Sequence, residues 1–134
     1  MNKAITWLGM SFLAAVMCSA AEPPFTLALQ AYTFKDRSLV ETIEVAKRLG
    51  FQAIELTSVQ KLGGTFKGSF KYSDMSPETV TAVRAYLDNC GLKAFSYGVV
   101  NEKDEAGWRR QFEFARALGI GMLLTEPPPE QLPL

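Results

Sequence analysis

Histidine is missing from the 134-residue chain altogether. Its absence removes the side chain that most often acts as general base near neutral pH, and with it the commonest zinc ligand. Cysteine is scarce, with only Cys18 and Cys90 present. If the N-terminal segment is cleaved near Ala21, Cys90 remains alone and no intramolecular disulfide can form, even in an oxidising compartment. Cys90 falls on the apolar side of a predicted helix, where a buried, inert thiol is expected. No excess of either charge exists: 14 Lys and Arg balance 14 Asp and Glu. Net charge therefore implies neither nucleic acid nor an anionic membrane as partner.

One long apolar run is present, and it lies at the start. Lys3 precedes the run from Ala4 to Met17, and Ser19-Ala20-Ala21 places small residues at a cleavage site. Residues 1–21 read as a secretory signal peptide, which implies export to a periplasm or the exterior. The run is short for a membrane span of roughly 20 residues, so no membrane association is expected after cleavage. Ala15-Val16-Met17-Cys18 makes a poor lipoprotein box because Met17 is bulky. Residues 22–134 remain as one domain, in a chain that is 48% hydrophobic,.

That domain is organised around a unit in which a helix ends, a glycine follows and a mostly apolar strand begins. Leu49-Gly50-Phe51-Gln52-Ala53-Ile54-Glu55-Leu56 states it first. Cys90-Gly91-Leu92-Lys93-Ala94-Phe95-Ser96-Tyr97 and Leu118-Gly119-Ile120-Gly121-Met122-Leu123-Leu124-Thr125 repeat it. Glycine supplies the left-handed residue favoured just past a helix end. Glu55 stands out, because a charge in a strand covered on both faces must be paired, protonated or turned toward a wet pocket. Aligned on the glycines, Glu55, Ser96 and Leu124 share one level, with Thr57, Gly98 and Glu126 two residues further on. Strand alternation gives all six the same facing.

In chain order, Phe25–Phe34 reads as the first strand, with Gln30 and Tyr32 on one face that is either the pocket or the helix layer. Ser38 and Glu41 form a capping box for a helix running to Leu49, buried along Leu39, Ile43, Ala46 and Leu49. Phe51–Leu56 is the second strand. Ser58–Ser73 is a long loop with Gly63-Gly64, Gly68, three lysines and three aromatic residues; such loops are usually functional or mobile. Ser76 and Pro77 open a second helix with Val80, Val83, Leu87 and Cys90 inward. Leu92–Val100 is the third strand. A third helix spans about Glu105 to Leu118, with Trp108, Phe112, Ala115 and Leu118 inward and its arginines solvated. The fourth strand ends at Thr125-Glu126, before Pro127-Pro128-Pro129.

Alternating strands and helices describe a parallel sheet built by right-handed crossovers. An open doubly wound sheet can be complete with this number of strands, whereas an eight-stranded barrel takes about 250 residues. In both, ligands gather at the C-terminal strand ends, where Glu55, Ser96 and Glu126 lie.

The combination of Leu29-Gln30-Ala31-Tyr32-Thr33-Phe34, Ala46-Lys47-Arg48-Leu49-Gly50-Phe51-Gln52-Ala53-Ile54-Glu55-Leu56 and Ala115-Arg116-Ala117-Leu118-Gly119-Ile120 resembles the N-terminal half of the xylose isomerase-like TIM-barrel family. That family includes sugar-phosphate isomerases and epimerases. The resemblance implies an α/β fold, a partial (β/α)8 barrel of about four parallel strands and three crossover helices. It also implies a sugar or sugar phosphate as substrate. The family's chemistry is proton transfer beside a carbonyl, assisted by a divalent metal (manganese, magnesium or zinc) held by carboxylates and a histidine. The family's metal ligands come mainly from later strands, which this sequence lacks, so no metal or catalytic residue is assigned. Glu55 and Glu126 match family positions at strand ends and are carried over as substrate-binding candidates, joined by Gln30 and Tyr32 from the polar end of the first strand. The alternatives are a noncatalytic carbohydrate-binding or self-associating half-barrel that pairs with another copy or with a C-terminal half, and a small open parallel α/β domain.

Overall fold

Local chemistry sets the helices where the sequence places them. A computed structural model describes residues 25–127. Helix α1 spans Leu39–Arg48 behind a complete Ser38/Glu41 capping box, and α2 spans Pro77–Asn89 behind Ser76, with proline in the first turn. Helix α3, Glu105–Leu118, is capped by the Asp104 carboxylate, which accepts from Gly107 N–H at 2.7 Å. It ends on Gly119 in the left-handed conformation. Each cap satisfies amide groups that the first or last turn would otherwise leave unpaired. Residues 1–21, where a signal peptide is expected, and the end of the proline run lie outside the described residues.

Strands β1 (Ala28–Gln30), β2 (Ala53–Leu56), β5 (Lys93–Tyr97) and β6 (Met122–Leu123) form one sheet in the order β1-β2-β5-β6. All three pairings are parallel. The spatial order follows the chain and never reverses, unlike a doubly wound sheet with its switch point. Right-handed crossovers that always step the same way put α1, α2 and α3 on one face, as in the wall of a β/α barrel. The fold is thus a partial β/α barrel. Leu29, Ile54, Ala94, Leu56 and Tyr97 are buried on the helix side with Ile43, Val83, Leu87 and Phe114. Phe95 and Met122 are left about half exposed.

Several strand and loop expectations are corrected. The first strand covers three residues rather than ten, because the chain turns at Ala31 into a single 3-10 turn, Ala31–Phe34. Buried Gln60 holds that turn: its amino group donates to Phe34 O at 2.9 Å, Arg37 O at 3.3 Å and Thr42 Oγ1 at 2.8 Å. The fourth strand is two residues long, and Met122 rather than Leu124 lies opposite Ser96. Leu124 instead packs against Gly98, one residue beyond β5.

The long loop contains an antiparallel hairpin, β3 (Lys61–Gly63) and β4 (Phe66–Ser69). Gly64, at φ +58°, begins its tight turn, a conformation that suits the strand twist of two-residue hairpins. Phe70, just past β4, is fully buried and packs edge-on against Tyr97, with Phe114 at 5.6 Å. The loop is therefore tied into the core. Seating Phe114 there also rotates α3 from its expected setting. Gly107, Gln111, Phe114, Ala115 and Leu118 face inward, whereas Phe112 is 62% exposed.

Candidate functional site

At the C-terminal ends of β1 and β2 the sheet opens into a cleft of about 320 Å³, lined by Gln30, Tyr32, Glu55, Thr57, Val59 and Gly98 among others. Parallel pairing puts Gln30 beside Glu55, and the Gln30 amino group donates to Glu55 Oε1 at 2.9 Å. On the other side Ser96 Oγ donates to Glu55 Oε2, also at 2.9 Å.

That second contact depends on a bulge. Ile54 lies opposite Ala94, but Glu55 lies opposite Ser96, so Phe95 is the extra residue. Regular alternation would turn Ser96 toward the helices, away from Glu55; the bulge re-aims it. Both carboxylate oxygens are thereby oriented, and the lone pairs they have left can accept hydroxyl groups of a ligand.

Tyr32 reaches the cleft by a route other than strand alternation. The 3-10 turn swings it over the mouth, where it is 50% exposed. The Lys35 ammonium sits 5.1 Å from its ring centre, within the range of a cation–π contact. Ring, carboxylate and amide together offer an apolar face next to hydrogen-bonding groups. The chain leaves β5 along this wall through Gly98-Val99, whose peptide is cis.

Glu126 does not join these three. It follows β6 and is exposed, and its backbone N–H donates to Asn101 Oδ1 at 3.2 Å. Among the described residues no second acid lines the cleft with Glu55. Of the residues at this site, sequence reasoning assigned no role to Ser96, Thr57 or Gly98. Their signal is the glycine-aligned register, which placed all three on the Glu55 side.

The donor set does not fit a divalent metal. Among the described residues no three His, Cys, Asp or Glu side chains converge, and each Glu55 oxygen already accepts a hydrogen bond. A roomier groove of about 410 Å³ runs along α3 between Trp108, Phe112 and Arg116. Its one ion pair, Arg109 to Glu105 at 2.8 Å, is an exposed i,i+4 pair, the kind that contributes little. The groove lies along a helix, away from the strand ends where α/β folds gather ligands.

Two solved structures share this architecture. An uncharacterised protein from Parabacteroides distasonis superposes with a TM-score of 0.74 and 28% identity over 80% of this chain and 45% of its own. A sugar phosphate isomerase/epimerase from the same organism superposes with a TM-score of 0.58 and 17% identity over 83% of this chain and 42% of its own. The second likeness is one of fold alone. The chain spans less than half the length of either structure. No family model and no curated protein matches the sequence.

Proposed function

We propose that the β1–β2–β5 strand ends bind a sugar, and that the chain carries the front wall of a sugar or sugar phosphate isomerase/epimerase-like barrel. The observation behind this reading is the triad Gln30–Glu55–Ser96, a carboxylate oriented by two donors and open to the cleft beneath an exposed tyrosine. A carboxylate next to an amide can accept from one sugar hydroxyl and donate to its neighbour, while an aromatic ring covers the apolar face of the sugar ring. The fold likeness to a sugar phosphate isomerase/epimerase supports the same class of ligand.

In this role Glu55 binds and orients. Proton shuttling between adjacent carbons takes two groups within hydrogen-bond reach of the substrate, and only Glu55 is so placed among the described carboxylates. The test is calorimetric titration of the purified chain with glucose, xylose and fructose, repeated with Glu55→Gln. The reading expects saturable binding of at least one sugar and a loss of about tenfold or more in the variant, since a hydrogen bond to a charged group is worth about 1.5–3 kcal/mol. Unchanged binding by Glu55→Gln would refute it.

A second reading, association with another copy of the chain, is favoured by half-exposed Phe95 and Met122 together with the outer edges of β1 and β6, which pair with no further strand among the described residues. Such edges and apolar patches favour pairing. A concentration-dependent shift to a dimer in sedimentation is its expected signature; a monomer at all concentrations rules it out.

A further inference from the structure

A second cleft, about 250 Å³, adjoins the first and shares Ser58 and Val99 with it. It lies where the hairpin exit, Lys71 to Ser73, meets the end of β5 and the inner face of α3. We infer that this cleft is a subsite for a second, uncharged sugar unit, so that the ligand is a disaccharide or glycoside; this rests on the sugar-binding reading above.

Asn101 Oδ1 accepts from Thr125 Oγ1 at 2.8 Å and from Glu126 N–H at 3.2 Å. A backbone N–H can only donate, so the amide orientation is determined. The Asn101 amino group then has no partner among the described residues and is available to a ligand.

Glu102 provides the opposite polarity. Its Oε1 accepts from the buried Gln111 amino group at 2.8 Å, which leaves Oε2 to accept from a ligand. Ser58, Tyr72 and Ser73 add hydroxyls, and Lys71 adds one ammonium. Arg110 sits 5.8 Å from the Tyr72 ring centre, which steadies this wall.

A wall that both donates and accepts matches sugar hydroxyls, each of which does both. A phosphate only accepts, and it would face the Glu102 carboxylate. Lys71 is the one cation among the residues lining the cleft, since Arg110 stands against Tyr72 and is not part of the lining, and a lone exposed lysine is a poor counterweight to that repulsion. Chemistry therefore favours the neutral unit. The shared Ser58 and Val99 place the two units side by side rather than at separate sites.

The test is titration of the full chain with glucose, cellobiose and glucose 6-phosphate. Cellobiose is expected to bind at least tenfold more tightly than glucose, and the phosphate no more tightly than glucose. In Asn101→Ala the tenfold advantage of cellobiose should vanish. Because Asn101 also holds the segment after β6, Lys71→Ala is the second variant, expected to reduce the advantage about threefold with unchanged thermal unfolding. Glucose binding without any cellobiose advantage overturns the subsite and leaves the first reading standing. Tightest binding of the phosphate also overturns it. Failure of both sugars to bind overturns the subsite, and the first reading falls with it only when xylose and fructose also fail to bind.

Discussion

Alanine at Gly63 should cost far more than alanine at Gly50, although the two backbones are nearly identical. Gly50 has φ +78° with open space where a Cβ would go; Gly63 has φ +77°, but its Cβ would fall 2.3 Å from Ser38 Cβ and 2.4 Å from Ser38 Oγ. The left-handed conformation alone costs a non-glycine residue about 1–2 kcal/mol, which is the whole expected effect of Gly50→Ala. At Gly63 the displaced Ser38 must also give up its bond to Glu41 N–H. A lost helix cap adds about 1 kcal/mol, and forced overpacking adds about 1–3 kcal/mol. Gly63→Ala is therefore expected to destabilise by about 3–6 kcal/mol. Urea unfolding with matched m-values reads both. A double-mutant cycle isolates the contact: in a Ser38→Gly background the clashing atoms are gone, and Gly63→Ala should fall back to about 1–2 kcal/mol. Equal costs at Gly50 and Gly63 would refute the docking of the hairpin on the α1 cap. That docking matters for binding because the same hairpin leads into Lys71 to Ser73, one wall of the second cleft.

Three other expectations follow from the same contacts. Gln60→Leu strips the donor from Thr42 Oγ1 in a buried bond and from Phe34 O and Arg37 O in part-buried ones; counting only the fully buried group, it should cost about 1–3 kcal/mol, and a urea-derived loss below about 1 kcal/mol contradicts it. The Ser38 backbone N–H, then its side chain, hold the Glu41 carboxyl below its ordinary 4.5. Its contribution is thus fully present above pH 4.5 and disappears as pH falls through the lower folded value, so Glu41→Gln should flatten the acid limb of a stability–pH curve. The chain with added manganese should show no aldose–ketose interconversion by NMR; turnover would contradict the solitary placement of Glu55.

What could be read from the sequence was local. Ser38 with Glu41, Ser76 with Pro77, and the glycine after each helix act within a turn of the chain, and α1 and α2 begin and end within a residue of expectation. Gln30 and Glu55 meet because the glycine-punctuated units pair in parallel, which the repeat itself suggested. The non-local features were not legible. Nothing near Phe95 in the chain marks it as the extra residue of a bulge, since a bulge is defined by the partner strand. Tyr32 was expected within the first strand on the same face as Gln30, yet it arrives at the cleft by way of a 3-10 turn that Gln60 holds from 26 residues away along the chain. On α3, Phe112 and Gln111 exchanged roles because Phe114 had to reach Phe70 and Tyr97, a demand visible only once the hairpin is placed. That hairpin had a usable signal in Gly64-Thr65, a two-residue glycine-first turn between short strands. Its flanks, Lys61-Leu62-Gly63 and Phe66-Lys67-Gly68-Ser69, alternate too weakly to make it stand out.

The most direct test of the account is a residue-resolved map of sugar binding by amide chemical shifts on the isotope-labelled chain titrated with the tightest-binding sugar. The account predicts perturbations at Gln30, Tyr32, Glu55, Ser96 and Gly98 that disappear in Glu55→Gln. Perturbations confined to Trp108 and Phe112 on the outer face of α3, with the strand ends silent, would contradict it.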